Sequence, residues 1–404
     1  MYKDLFHNFK LDGIDIDKIY LFSDDNREPI VLPCLWSIHI AIKQEVWGWH
    51  TTGNRSSYGN AITRKRQRNV KTTFKAEPAT ENTLVNYIGH VYKLLKYINS
   101  LPDLSIHHTE NITTRFLNHY LNQVLPNSLS SITSLKAHQS GIAAYCNFLC
   151  ALGVWPKDQN RPTTIYKKTI QWMAEKDTRP LKISYVATDE YNDLLRNCTC
   201  ARDKLILQMG YEVGLRAEEN CGLELNDHGK HRGLISIFEE LKSRPEKMVW
   251  EYVIRGKYTK GGKTGVIYFD RELLESMKIY HDGERATTVN DSSQVSTQTL
   301  FVRNDNVGKG LPISAKQATT TFRRVRALVP YLNQALSYHD LRHSFATQLY
   351  HQELQSSEGQ ETRSESAALE VVRQRLRHSE NSKTVYRYIR LHMVMLNREA
   401  MVNA

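Results

Sequence analysis

Cysteine is scarce in this chain. Six are spread over 404 residues, and the closest pair, Cys198 and Cys200, lacks the spacing of a zinc knuckle. A reduced, metal-free protein that needs no cofactor is the simplest expectation. Cys146 and Cys150 lie one helical turn apart in the apolar stretch "GIAAYCNFLCALGVW" and are expected to pack in a core. The chain also lacks an uninterrupted apolar run long enough to span a bilayer. Its first twenty residues, "MYKDLFHNFKLDGIDIDKIY", carry acids and no apolar segment, which is unlike a signal peptide. A protein that stays in the compartment where it is made is expected, without a membrane partner. No repeat of solenoid period is present.

What the chain does have is an ordinary globular composition, 40% hydrophobic and 24% charged, over a length sufficient for two or three domains. Its net charge of +11 is common among proteins that neutralise phosphates, though many basic proteins bind no nucleic acid.

Residues 1–75 form a mixed segment. Within it, "LWSIHIAIKQEVWGWH" alternates Ile38, Ile40 and Ile42 and predicts a strand, and "TRKRQRNVK" (63–71) is a dense basic run. Leu84, Ile88, Val91, Leu95 and Ile98 then make an amphipathic helical stripe. Similar patterns continue, so residues 77 to about 176 read as roughly four helices. "KDTRPLKISY" (176–185) reads as a linker. Beyond it, "TDEYNDLLRNCTCARDKLILQMGYEVG" predicts two helices with Thr188 as a cap, and "MVWEYVIR" and "GVIYF" predict two strands joined by a basic turn. Helices dominate again to the end, interrupted by expected polar loops at 282–299 and 351–367.

Four stretches carry chemistry. "GYEVGLRAEENCGLELND" sets Glu219 three residues after Arg216, a spacing at which a carboxylate can hold a guanidinium rigid for two phosphate oxygens. "RGKYTKGGKTG" offers Lys257, Lys260 and Lys263 on a flexible turn. "SYHDLRHSFATQLY" groups His339, Arg342 and His343 near the start of a helix, with Ser337 and Asp340 spaced as a capping box. "QRLRHSENSKTVYRYIRLH" follows His378 with Tyr386 eight residues on and Tyr388 ten residues on. A tyrosine hydroxyl attacks a phosphodiester only when cations hold the non-bridging oxygens and a group accepts its proton. Two arginines, two histidines and a lysine around one tyrosine would meet that need without a metal.

In this order, "GLRAEENCGLEL", "TKGGKTGVIYF", "HDLRHSFAT" and "LRHSENSKTVYRYI" resemble the boxes of the tyrosine recombinase (phage integrase) family, over residues 80 to about 395. The resemblance implies a mainly α fold with a small antiparallel β-sheet (α+β). Residues 76–178 would be a helical, SAM-like core-binding domain and 182–404 the catalytic domain with a C-terminal tail. Residues 1–75 would be an N-terminal extension, a candidate arm or DNA- or protein-contact module. It implies a site-specific recombinase or integrase that cuts DNA through a 3′-phosphotyrosine and a Holliday junction, of the kind carried by mobile genetic elements. Its partner would be double-stranded DNA, two duplexes held by a homo-tetramer in the cytoplasm or nucleoid, with accessory DNA-bending or directionality proteins as further candidates. Type IB topoisomerases, telomere resolvases and non-catalytic DNA-binding relatives are the alternatives.

Carried over residue by residue, Arg216 and Arg342 would clamp the scissile phosphate. His339 would act as donor or proton acceptor, His378 as a donor to the phosphate, and Lys260, with Lys263 second, as the leaving-group acid. His343 would pack or bind backbone, and Glu219 would buttress Arg216. The chain departs from the family pattern where Arg377 replaces a common glycine. A polar insertion also follows the His-x-x-Arg helix. The usual nine-residue step from His378 reaches Arg387, so Tyr388 is the expected nucleophile and Tyr386 a packing neighbour.

Overall fold

The computed structural model describes residues 1–11, 13–52, 71–102, 104–155, 163–176, 185–292, 297–355, 364–378 and 386–402. The basic run up to residue 70, the interior of the expected linker and residues 379–385 lie outside the described residues. Two compact units emerge, Met1–Leu181 and Lys182–Ala404.

The first unit begins with an antiparallel hairpin, β1 (Tyr2–Leu11) and β2 (Ile14–Ser23), followed by α1 (Val31–Lys43). The strand expected at Ile38–Ile42 is therefore a helix. Pro33, Cys34, Trp36, Ser37 and Ile40 bury at helical spacing, and of the three alternating isoleucines only Ile40 is on that buried face. A second hairpin joins β3 (Glu45–Thr52) to β4 (Lys71–Pro78).

The helical block consists of α2 (Glu81–Asn99), α3 (Thr114–His119) running through a π turn into α4 (Leu125–Ser128), α5 (Ile132–Ala151) and α6 (Lys167–Lys176). Thr80 and Ser131 cap α2 and α5 by accepting backbone N–H bonds from Thr83 and Ser134. The expected stripe on α2 is buried throughout. Its core also takes in Phe22, Trp36 and Ile40 from the N-terminal segment, with Cys146 and Cys150 from α5.

The second unit opens with α7 (Thr188–Arg196) and α8 (Ala201–Tyr211). Thr188 is the first helical residue rather than the cap. The exposed end is met instead by the Glu190 carboxylate, which accepts the Ala187 N–H at 2.8 Å. α9 (Leu234–Ser243) precedes the hairpin β5 (Val249–Ile254) and β6 (Gly265–Asp270). Trp250, Tyr252, Ile254, Ile267 and Phe269 bury one face of that hairpin against the main core.

α10 (Arg271–Tyr280) continues through a π turn into α11 (Ala286–Asn290), so the first half of the loop expected at 282–299 is helical. Its polar side chains are absorbed locally. The buried Arg285 guanidinium donates to the carbonyls of Thr299 and Thr297. α12 (Gln317–Arg326) leads to α13 (Tyr338–Leu354), α14 (Glu365–Arg375) and α15 (Tyr386–Val402). These bounds convert both ends of the loop expected at 351–367 into helix. α13, α14 and α15 share a separate apolar cluster around Phe345, Tyr350, Val372, Tyr388 and Leu391. Among the described residues no helix is long and apolar enough to cross a membrane.

Within the second unit, Gly214 sits where the main core meets the cluster around Phe345. It has φ +73°, and a Cβ there would overlap the ring of Phe345. Gly214→Ala therefore combines left-handed strain with overpacking and is expected to cost about 2–4 kcal/mol of stability. Urea unfolding measures this directly. A loss below about 1 kcal/mol would mean that α13 has room to retreat from the turn.

Candidate active site

The site begins where α8 ends. Gly214 turns the chain left-handed, Leu215 plugs the core, and Arg216 enters a 3-10 turn at Glu218–Gly222. Glu219 is wholly buried and holds Arg216 twice. Its Oε2 accepts the Arg216 backbone N–H at 2.8 Å, and its Oε1 accepts from Arg216 Nη1 at 2.8 Å. Asn220 secures the same turn, donating to the Arg216 carbonyl at 3.1 Å and to the Tyr338 hydroxyl at 2.9 Å.

Arg342 comes from the start of α13. There Ser337 and Asp340 form the expected capping contacts, with the Ser337 N–H and hydroxyl donating to Asp340 Oδ2 at 2.7 and 2.9 Å. Arg342 is 1% exposed and donates to the carbonyls of Gly214 and Leu376, while its Nη1 lies 3.6 Å from Glu219 Oε2.

A third guanidinium completes the cluster. Arg377 Nη2 donates to Glu219 Oε2 at 2.6 Å. Burial alone would raise the Glu219 pKa; the charges of Arg377 and Arg342 and the hydrogen bond from Arg216 overcome it and hold the carboxyl below its usual range. Three guanidinium groups around one carboxylate leave this corner with an excess of positive charge suited to an anion.

The position of Arg377 explains the departure from glycine. Helix α14 ends in a Schellman motif: the Arg377 N–H bonds to the Gln374 carbonyl at 2.9 Å, and the His378 N–H to the Arg373 carbonyl at 3.0 Å. Arg377 is the left-handed residue of that motif, with φ +55°. Glycine is free of strain there, whereas arginine costs about 1–2 kcal/mol of backbone energy. The motif delivers His378 directly behind the arginine cluster.

The histidines and the tyrosine form a second group. His339 is exposed and meets the buried His343 edge to face at 4.6 Å between ring centroids. The His343 ring lies 5.8 Å from that of Tyr388, and the His378 ring lies 6.5 Å from it, inclined by 19°. His343 therefore packs, as expected. Its pKa falls to about 2, mainly through burial. Burial, reinforced by Arg342 and Arg216, lowers His378 to about 4. His339 is lowered as well, first by desolvation from the groups packed around it and then by the charge of Arg342. All three imidazoles are neutral at neutral pH. The Nδ1 atoms of His343 and His378 are buried without a partner among the described residues.

Tyr388 is 1% exposed, whereas Tyr386 is 63% exposed. Tyr386 is thus not the packing residue expected from the sequence; Tyr388 takes that buried position. Burial pushes the Tyr388 hydroxyl pKa up, against the opposing pull of Arg342, Arg387 and Arg216.

Lys260 stands apart from these groups. It is exposed on the turn between β5 and β6, where Gly261 and Gly262 have positive φ. Lys257 pairs with Glu224 at 3.0 Å, while neither Lys260 nor Lys263 has an ion-pair partner among the described residues. The turn is nevertheless rooted beside the arginine cluster, since Tyr258 packs on Gly222 and donates to Glu224 at 2.9 Å. Sequence reasoning missed the Arg377–Glu219 pair. The only local signal was an arginine where the helix-ending motif favours glycine. Among the described residues, the one histidine–carboxylate group with metal-compatible spacing is Asp24, Glu28 and His107, which belongs to the first unit.

Residues 184–394 match the phage integrase family. The chain is 25% identical to tyrosine recombinase XerD of Staphylococcus epidermidis over 296 residues, covering 72% of this chain and 83% of that protein. It is 26% identical to tyrosine recombinase XerC of Thermodesulfovibrio yellowstonii over 198 residues, which spans 48% of this chain and only 53% of XerC. The fold is similar to that of the XerH site-specific recombinase bound to its difH substrate in a pre-cleavage complex. The TM-score there is 0.51 at 18% identity, over 77% of this chain and 76% of that one. The mainly helical architecture with small antiparallel sheets is therefore shared, and with a family match across more than half its length the chain belongs to the phage integrase family, the tyrosine recombinases.

Proposed function

We propose that this chain recombines DNA at a specific site, with Tyr388 as nucleophile and without a metal ion in the chemical step. The observation that carries the reading is Tyr388 packed against the rings of both His343 and His378, beside guanidinium groups that a single buried carboxylate, Glu219, holds in place.

The Tyr388 oxygen attacks the scissile phosphorus and the bond from phosphorus to the 5′-oxygen breaks. This leaves a 3′-phosphotyrosine and a free 5′-hydroxyl. His339, neutral and open to solvent, accepts the phenolic proton, and Lys260 protonates the departing oxygen. Arg216 and Arg342 hold the non-bridging oxygens, and His378 donates to one of them. The free hydroxyl of a partner strand then attacks the phosphotyrosine, by way of a Holliday junction between two duplexes held by four protomers. Bond energy is kept in the phosphotyrosine, so no external energy source is needed. Tyr388 and Arg342 are both almost closed to solvent, so DNA binding has to open the contact between α13 and α15 before a phosphate can touch them. The net charge of +11 favours that encounter, and residues of the first unit contribute further duplex contacts.

The test needs a bound site, which selection from a random duplex library supplies. A nick beside the scissile position lets the short 3′ fragment diffuse away and traps the adduct. Adduct formation is expected to persist in excess EDTA, because side chains supply the charge stabilisation that a metal would otherwise give. Activity lost on chelation and restored by magnesium would refute the mechanism. Relaxation of supercoiled plasmid without recombinant junctions would assign the chemistry to a topoisomerase instead, and binding without any adduct would leave a non-catalytic relative.

A further inference from the structure

We propose that Arg377 is a positioning residue that ties the root of the lysine-bearing hairpin to the carboxylate holding Arg216. The inference rests on the assignment of Lys260 and Arg216 above.

The side chain is kept at a backbone position that favours glycine, with φ +55°. Its guanidinium reaches Glu219, 158 residues away in sequence, at 2.6 Å. Its aliphatic stem lies against Gly265, where an added Cβ would overlap Arg377 Cδ. Gly265 is the first residue of β6, the strand that returns from the turn carrying Lys260.

The outgoing end of the same turn is already anchored. Arg255, Lys257 and Tyr258 all converge on Glu224, at 3.0, 3.0 and 2.9 Å. Arg377 supplies the matching anchor on the returning end. Lys260 itself has no ion-pair partner among the described residues, so its place is set by the two roots of its turn. A general acid must lie within hydrogen-bond reach of the leaving oxygen, and small displacements of a catalytic group cost large factors in rate. One carboxylate, Glu219, thereby places the phosphate-binding arginine and, through Arg377, the hairpin.

The test compares Arg377→Gly, Gly265→Ala and their combination on the selected nicked site. Each is assayed with an ordinary phosphodiester and with a 5′-bridging phosphorothiolate, whose sulfur leaves without a proton. Arg377→Gly suits the left-handed backbone, and thermal unfolding with duplex affinity checks that the fold is intact. On the ordinary substrate Arg377→Gly should slow adduct formation roughly tenfold or more, and on the sulfur substrate by less than about threefold. Gly265→Ala should show the same pattern alone and add less than about twofold in the Arg377→Gly background, where the stem it displaces is gone.

Equal slowing on both substrates would mean that Arg377 acts through the phosphate clamp, which overturns the link to the hairpin. No slowing, or a full Gly265→Ala effect in the Arg377→Gly background, would also overturn it. Lys260→Ala run in parallel separates the levels. If sulfur rescues Lys260→Ala but not Arg377→Gly, the proposal alone fails. If sulfur rescues neither, the lysine assignment fails and takes the proposal with it.

Discussion

Tyr388→Phe is expected to abolish the covalent protein–DNA adduct while leaving duplex affinity nearly intact. Tyr386→Phe should form the adduct at close to the normal rate. The contrast follows from two tyrosines that are close in sequence and opposite in surroundings. Tyr388 is 1% exposed, with the rings of His343 and His378 next to it, whereas Tyr386 is 63% exposed on the first turn of the same helix. Removing one hydroxyl from Tyr388 keeps the ring that fills the cluster of α13, α14 and α15, so the fold should survive. The covalent adduct separates on a denaturing gel as a band of reduced mobility. If Tyr386→Phe is the dead variant, the nucleophile is two residues away and α15 must turn to present it. If both variants form adducts, the tyrosine mechanism fails.

The second large effect belongs to Lys260. Lys260→Ala should slow cleavage of an ordinary phosphodiester by about two to four decades, the range of general acid catalysis. A 5′-bridging phosphorothiolate leaves as a thiolate of much lower pKa, so the same variant should cleave it almost as fast as the unaltered protein. Arg216→Ala and Arg342→Ala should stay impaired on sulfur, because their charge acts on the non-bridging oxygens. Lys260 and Lys263 are both exposed without ion-pair partners among the described residues, whereas Lys257 is held by Glu224. Rescue of Lys263→Ala with Lys260→Ala left slow would move the acid by three residues. Rescue of neither would leave the hairpin as a DNA-contacting turn.

The parts of the site legible in the sequence are those made by near neighbours. Arg216 and Glu219 sit three residues apart and meet on one short turn; Ser337 and Asp340 cap their own helix. The stripe from Leu84 to Ile98 was equally plain, since a clean helical period has no competing reading there. Ile38, Ile40 and Ile42 alternate at the strand period, but in the helix only Ile40 joins the buried face of Pro33, Trp36 and Ser37, while Ile38 and Ile42 lie half-buried on another face. The polar stretch after Tyr280 looked like a loop because its contacts, such as Arg285 with the Thr299 carbonyl, are made only once the chain has returned. Arg377 was visible only as an oddity, since its partner Glu219 and its neighbour Gly265 are distant in sequence. Tyr386 and Tyr388 share one helix, and tertiary packing, not spacing, separates them.

The most direct measurement maps the peptide left on the DNA. The adduct is trapped on the nicked site in EDTA, digested with trypsin and nuclease, and read by mass spectrometry. Cleavage after Lys383, Arg387 and Arg390 places the two tyrosines on different peptides, Tyr386 on 384–387 and Tyr388 on 388–390. A nucleotide joined through its 3′-phosphate to the peptide carrying Tyr388 is the predicted result. A 5′-linked nucleotide, a modified residue other than tyrosine, or no covalent peptide from cleaved DNA would contradict the assignment of this site.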